Sequence, residues 1–442
     1  MRHTFAIALV AASVGLTACD LDTTNPNAPT QESVVNTPEG LIALGVGVQA
    51  RFGASTGALI YGAGLVTDEL GAISTSFSTI SDAERGIVTP GAGFTADIFD
   101  SNYRTIRTAN DIIFGNANVE IPRGTRSGIL GLAYLLKAAA IGELVQAFQQ
   151  VAIETYNIPT PSFVDRPTAL AYVIALLDSA AFAYSDTLPS AQFTSTVLVR
   201  GFDVRNTIYA YRARYYRLLG DDAKALANAD SVDRTVFSVI PFSAQDINPV
   251  FLLSTGSSGV LPRDIFRTSD STEALRTASH VTAATIIGRD PSFTPLDNYA
   301  RYSVASASIP AYYPDEPLLV KAEALVNLGR LAEAKAVVDS VRTDCPGLGR
   351  VATDPGPCLT PLAGAPTAQQ LLDEIYRNRR FELFATGLRW EDLRRLGLVG
   401  ANSVAKRCFL PYPIGERNAN PANVPPDPEG TEPVVSPGPC LP

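Results

Sequence analysis

"LLVKAEALVNLGRLAEAKAVVDSV" (residues 318–341) has a double earlier in the chain, "YAYRARYYRLLGDDAKALANADSV" (209–232), and the two align without a gap. They share Ala213/Ala322, Leu219/Leu328, Gly220/Gly329, Ala223/Ala332, Ala225/Ala334 and a closing Asp-Ser-Val at 230–232 and 339–341. Each copy reads as a helix, a tight turn at the glycine, and a second helix. Small alanines on both arms let the two helices approach closely. A unit this short cannot bury its apolar face alone, so the pattern implies further helical pairs stacked against it.

The Leu-Gly turn followed by spaced alanines resembles a tetratricopeptide repeat that lacks the leading Trp and trailing Pro. Residues 128–153 followed by 166–184 form another candidate pair, so repeats are expected at about 128–184, 205–236 and 313–343. A further helix is expected over 94–118, with Ile98, Phe99, Tyr103, Ile106, Ala109 and Ile113 near helical spacing. The apolar stretch "GILGLAYLLKAAAIGELVQAFQQVAI" (128–153) is interrupted by Lys137 and Glu143, which marks a buried helix of a soluble body rather than a membrane span. Between 239 and 311 the period weakens into short β-like runs with Ser, Gly and Pro, read as a loop-rich segment with a hairpin. The expected fold is mainly α, one body over 38–410 of tetratricopeptide-like repeats with irregular insertions. A Pro-rich, aperiodic tail (411–442) follows.

The N-terminus is a signal of another kind. "MRHT" is a short positive segment, "FAIALVAASVG" an apolar one too short to span, and Leu16-Thr17-Ala18-Cys19 closes it with small residues. This looks like a bacterial lipobox: residues 1–18 as leader, Cys19 as lipid-attachment site, and 19–37 as a polar tether. The four other cysteines, in an exported chain, suggest two disulfides, and the local pairings Cys345–Cys358 and Cys408–Cys440 are favoured.

Composition excludes several functions. A net charge of −9 over 442 residues argues against a nucleic-acid partner. His280 is the only histidine after the leader, so His-dependent nucleophilic catalysis and a zinc site are both disfavoured, and no metal is expected. "GVGVQA" (45–50) matches a dinucleotide fingerprint on paper, but it follows a helix-like start and no βαβ alternation surrounds it. A glycine-spaced helix is the preferred reading, and no cofactor is expected. The carboxylate pairs Asp68-Glu69 and Asp221-Asp222 could serve a glycosidase in principle but read as solvated turns or helix caps.

Several segments together resemble the SusD/RagB family of outer-membrane nutrient-binding lipoproteins. "SNYRTIRTANDII" (101–113) is similar to its early Y-x-x-I-x-x-A-N helix, and "GILGLAYLLKAAAIGELVQAF" (128–148) to its first long repeat helix. "YYPDEPLLVKAEALVNLG" (312–329) is similar to its late repeat. "IYRNRRFELFATGLRWEDLRRLG" (375–397) resembles its arginine-rich, Trp-containing signature. "LPYPIGERNANP" (410–421) resembles its closing L-P-I-P-x-x-E-x-x-x-N-P. Asn378 and Thr386 stand where the family usually has glutamates. The resemblance implies a non-enzymatic, lipid-anchored protein of the outer membrane, facing the cell surface. Its implied ligand is an oligosaccharide or peptide, and its implied partner a SusC-like TonB-dependent transporter. A repeat-based scaffold that binds only other envelope proteins is the alternative.

Sugars need aromatic faces for their C–H groups and planar polar groups for their hydroxyls. Three loop regions supply both: 67–77 with Asp68 and Phe77, 93–99 with Phe94 and Asp97, and 289–302 with Arg289, Asp297, Asn298, Tyr299 and Tyr302. On this reading, alanine at Asp68, Phe77 and Tyr299 weakens binding and leaves thermal stability unchanged. The signature 375–397 reads differently. Thr367 and Gln370 fit a capping box, Gly387 fits a helix stop, and Arg379 falls along an apolar stripe where a charge must be paired. Trp390 is read as core, with the surrounding arginines paired locally.

Overall fold

The computed structural model describes residues 35–256, 259–345, 356–400, 403–427, 429–430 and 440. The leader, Cys19 and nearly all of the tether lie outside these residues. Helix α1 (Pro38–Leu65) starts where the Thr37 hydroxyl accepts the Gly40 N–H at 3.1 Å, with Pro38 fitted to the first turn. "GVGVQA" lies inside this helix, and a Cβ on Gly45 would sit 2.7 Å from Val197. The glycines let other segments press on α1, and a mid-helix position offers no strand-to-helix turn for a phosphate. Strand β1 (Leu70–Ala72), α2 (Ser78–Glu84) and α3 (Gly93–Gly115) follow. Helix α4 (Arg123–Ala147) is buried along most of its length and is flanked by α1, α3 and the helices after it. Strands β2 (Gln150–Val151) and β3 (Val164–Asp165) pair antiparallel, and α5 (Arg166–Asp186), capped by the Asp165 carboxylate, packs back on α4.

Helices α6 (Val204–Leu219) and α7 (Asp222–Ala229) form the first copy of the internal repeat. Asp221 is the α7 cap, as a carboxylate pair in a helix-starting turn should be. The segment after it is more ordered than the weak periodicity suggested. It contains β4 (Val239–Ile240), α8 (Pro249–Thr255), β5 (Val260–Pro262), α9 (Ile265–Thr268) and α10 (Ala274–His280). The expected hairpin is β6 (Val281–Ile286) with β7 (Leu296–Tyr299), and its register shifts between Thr282 and Ile286. Strand β8 (Ile309–Pro310) pairs with β4, while β5 pairs with β1.

The second copy of the repeat is α11 (Asp315–Asn327) and α12 (Leu331–Arg342). Both copies turn on a left-handed glycine, Gly220 at φ +75° and Gly329 at φ +74°, with open space where a Cβ would be. Backbone conformation, not crowding, therefore requires glycine there. The hairpins stack through a seam of small residues, Ala213, Ala225, Ala229, Val320 and Ala324, all buried. Helix α13 (Ala368–Glu382) packs on α11 and α12 and begins with the Thr367/Gln370 capping box. Helix α13 stops earlier than expected, at Glu382, so Gly387, at φ +82°, is not its stop but the residue that opens α14 (Leu388–Arg395). Cys345 is bonded to Cys358 and Cys408 to Cys440. The segment expected to be aperiodic contains a short helix, α15 (Ile414–Ala419), preceded by buried Tyr412.

Trp390 is 1 % exposed and donates its indole N–H to the Arg407 carbonyl at 2.7 Å. Its arginine neighbours are not all paired locally. Arg394 does reach Glu391 one turn away, but Glu391 also binds Arg166 at 2.6 Å, and Arg395 binds Glu323 of α11. Asp392 holds Arg379 at 2.7 Å and Arg217 of α6 at 2.9 Å. The signature is a buried junction that ties α5, α6, α11 and α13 together. Besides the Arg394–Glu391 pair within α14, its charges reach partners on those four helices.

Candidate functional site

Two of the three predicted loop regions converge. The Arg289 N–H donates to the Ala72 carbonyl at 2.8 Å, Ser74 N–H to the Ile287 carbonyl at 3.0 Å, and Ile73 bridges Gly288. The Arg289 guanidinium donates to the Ser76 carbonyl, beside Phe77. The loop face so formed carries Phe77 at 67 % and Ile287 at 68 % exposure, with Arg289 and Asn298 also exposed. Arg85 extends the polar edge through ion pairs to Asp82 and to Asp290, the latter at 3.2 Å. Phe293 lies beneath the Arg263 guanidinium, 3.9 Å from its ring centre. Arg85 and Ile287 had no local signal in the sequence.

The other predicted residues are placed differently. Tyr299 and Tyr302 are buried and pack edge to face. Phe94 is buried against Tyr61. Asp297 is fully enclosed, with Arg267 forking onto both its oxygens at 2.8 and 3.1 Å. None of these four offers a free ring face or polar head to a ligand. Asp97 is exposed on α3, outside the two loops that converge.

Asp68-Glu69 is not a solvated turn. Arg389 binds Asp68 at 3.0 and 3.2 Å, and Arg380 stands at 3.6 Å. Burial pushes the Asp68 carboxyl up, but these two guanidiniums more than offset it and hold the group below the usual range. Glu69 is buried, and one of its oxygens accepts the N–H of Ala385 at 3.2 Å, a residue held at φ +53°. Burial first, and Asp68 beside it second, push the Glu69 carboxyl up to about 8. The pair therefore braces the base of the loop face against the α13–α14 turn, and alanine at Asp68 or Tyr299 costs stability as well. His280 is buried among Phe266, Tyr313 and Phe384, its pKa held well below the usual value by burial and by Arg301. It is not available as a surface base.

A cleft of about 730 Å³ opens elsewhere, between α1, α3, the β2–β3 loop and α15. Its wall is pinned at both ends. Tyr103 exchanges hydrogen bonds with the Ala152 backbone at 2.9 and 3.2 Å, and Asn110 reaches Thr155 at 3.4 Å. Asn420 donates to the Pro161 carbonyl at 2.8 Å and to Glu416 at 3.1 Å. Two motifs far apart in sequence, around Tyr103 and around Glu416-Asn420, thus meet at one loop. Each motif was legible alone, but their meeting was not.

Residues 302–424 match the model of the SusD family. No curated protein matches the chain. The fold is that of solved SusD superfamily structures. A SusD superfamily protein of Bacteroides thetaiotaomicron superposes with a TM-score of 0.69 at 15 % identity, covering 89 % of this chain and 100 % of that one. One from Bacteroides fragilis gives 0.66 at 16 %, covering 88 % and 99 %. A SusD-like carbohydrate binding protein of Bacteroides vulgatus gives 0.60 at 15 %, covering 82 % of each chain.

Proposed function

We propose that this chain, SusD-like in fold and matched to the SusD family over residues 302–424, is a lipid-anchored binding protein of the outer membrane. It captures a nutrient oligomer, glycan or peptide, and delivers it to a SusC-like TonB-dependent transporter, without catalysing a reaction. Cys19 is the lipid-attachment site, and the protein faces the cell surface. The observation that carries the reading is the loop face: an exposed Phe77 beside Ile287 and Arg289, held by a backbone bridge and braced from below by Glu69. An exposed ring with adjacent planar donors suits the C–H faces and hydroxyls of a sugar. Exposed Asn298 extends the candidate contact set.

The test uses the chain from Asp20 onward, which retains every described residue. Calorimetry against glycan and peptide panels should find a ligand, and Phe77→Ala should weaken it about tenfold with an unchanged melting temperature. Binding unaltered in Phe77→Ala and in Arg289→Ala would remove the loop face from consideration. Co-purification of a TonB-dependent barrel from membrane extracts tests the delivery step. A scaffold role is the second reading. It is favoured by the exposed Phe182 and Leu188 beside a hollow of about 470 Å³ on the repeat side, a surface suited to another protein. It predicts envelope-protein partners and no small ligand.

A further inference from the structure

Both loops of the exposed face hang from one residue. Ala72, the last of β1, gives its carbonyl to the Arg289 N–H at 2.8 Å, which attaches the second loop. Its own N–H goes to Glu84 Oε1 at 2.9 Å. Glu84 ends α2, the helix that begins directly after Phe77, so this bond closes the loop that carries the ring. The next residue ties the second loop from outside, where Arg85 pairs with Asp290 at 3.2 Å. Residues 84 and 85 thus clasp the two loops, one from the interior and one at the surface.

The inner half of the clasp is unbalanced. Glu84 is 1 % exposed, and its Oε2 has no hydrogen-bond partner among the described residues. Arg263 Nη2, also without one, stands 3.7 Å away. That guanidinium instead donates from Nε to the Leu70 carbonyl at 2.9 Å and lies over the Phe293 ring of the second loop. An enclosed carboxylate and guanidinium should close to a charge-assisted bond of about 2.7–2.9 Å. The wider gap fits a neutral carboxyl. Burial supplies the reason, since it pushes Glu84 up to about 7 against the opposing effects of the Ala72 N–H and of Arg263. Asp290 adds to the rise and Arg85 opposes it. Tyr61 faces the same carboxyl and is pushed up by burial, so it stays neutral in this range. Asp68, Asp290 and Lys406 are the other charges that act on Arg263.

We infer that Glu84 is the positioning residue of the loop face, seating both loops through Ala72 while its carboxyl is neutral and loosening them once it ionises. Ionised, it draws the Arg263 guanidinium off the Phe293 ring, and the loop that carries Arg289 loses its support from beneath. A closed face that raises the pKa of this group is favoured below that pKa and opposed above it. The inference rests on the proposed capture role only for the importance of the face.

The experiment puts a fluorescent ring on the loop, in the chain from Asp20 onward. Trp390 is buried, so in Phe77→Trp acrylamide quenches residue 77 almost alone. The quenching constant should be level below about pH 6 and rise about twofold by about pH 8. Adding Glu84→Gln keeps an acceptor for the Ala72 N–H but removes the ionisation, so the low-pH value should hold throughout. Adding Glu84→Ala removes the acceptor as well and should give the high value at every pH. Circular dichroism checks that each variant is folded, and the Glu84→Gln comparison decides the matter even where Glu84→Ala unfolds. A level profile in Phe77→Trp overturns the inference. So does a rise that survives Glu84→Gln unchanged, which would belong to Glu69, pushed up to about 8. The capture role is judged apart, by the ligand panels. A ligand lost in Phe77→Ala beside a level quenching profile keeps that role and removes Glu84's, and the expected profile with no ligand in any panel does the reverse.

Discussion

Asp392→Asn removes one negative charge from the interior while keeping the side chain's volume. The carboxylate binds Arg379 at 2.7 Å and Arg217 at 2.9 Å, and all three side chains are almost completely enclosed. Burial alone would raise its pKa, but Arg379 and then Arg217 overcome that and hold the group far below the usual carboxylate range. Removing one partner of a buried ion pair costs about 3–5 kcal/mol, because the remaining charge is stranded. Arg217 keeps Glu323, so the stranded charge is mainly Arg379, and the lower end, about 3 kcal/mol, is expected. That lowers the folded-to-unfolded ratio about a hundredfold, out of a total stability of roughly 5–15 kcal/mol. Urea denaturation at pH 7 measures it, followed by far-UV circular dichroism and by fluorescence of Trp390, the sole tryptophan. A group whose folded pKa is depressed stabilises above its unfolded pKa and loses that contribution as pH falls. The gap between wild type and variant should therefore stay constant from about pH 6 to 8 and narrow below about pH 4. If the stranded charge is the cost, Asp392→Asn with Arg379→Met is more stable than Asp392→Asn alone. A loss under about 1 kcal/mol, or a double variant weaker than the single by a full additive step, refutes the reasoning.

Three further outcomes are expected. Trp390→Ala should cost about 3–5 kcal/mol through lost burial, with the indole hydrogen bond to the Arg407 carbonyl lost as well, and it should show as a sharply lower melting temperature. Gly220→Ala and Gly329→Ala should each cost about 1 kcal/mol in chemical denaturation and add when combined, since each position needs only a left-handed backbone. Glu143 is buried, accepts from Thr56 at 2.7 Å, and is pushed up to about 7, mainly by burial. Its folded pKa is raised, so its contribution is fully present below the unfolded value and is lost as pH rises through about 7. Glu84 and Glu69 act in the same sense, being pushed up to about 7 and about 8. Glu143→Gln should flatten the fall of melting temperature between pH 5.5 and 8, and a slope identical to wild type would contradict the assignment.

Helix starts and the repeat were determined by sequence alone, because their causes are local, whereas the stop expected at Gly387 fell earlier, at Glu382. A Thr367 hydroxyl reaches its partner three residues on, and the left-handed turns at residues 220 and 329 are marked by the glycines that adopt them without steric cost. The duplicated hairpin needed only its own pattern of alanines and one glycine. Exposure was decided by tertiary structure. Asp68, Asp297, Tyr299 and Tyr302 have the chemistry of a sugar site, but residues distant in the chain enclose or occupy them. Arg389 binds Asp68 from 321 positions away, and Arg267 binds Asp297 from 30. Phe77 remains open because no described segment returns to cover it. Trp390 and its arginines likewise read as structural from composition and spacing, but their partners on α5, α6 and α11 could be named only once those helices were packed. The cleft lined by Arg51, Arg104 and Glu416 belongs wholly to this second kind of information. Periodicity shows which face of an element is apolar, whereas a concave surface exists only where faces of different elements fail to meet.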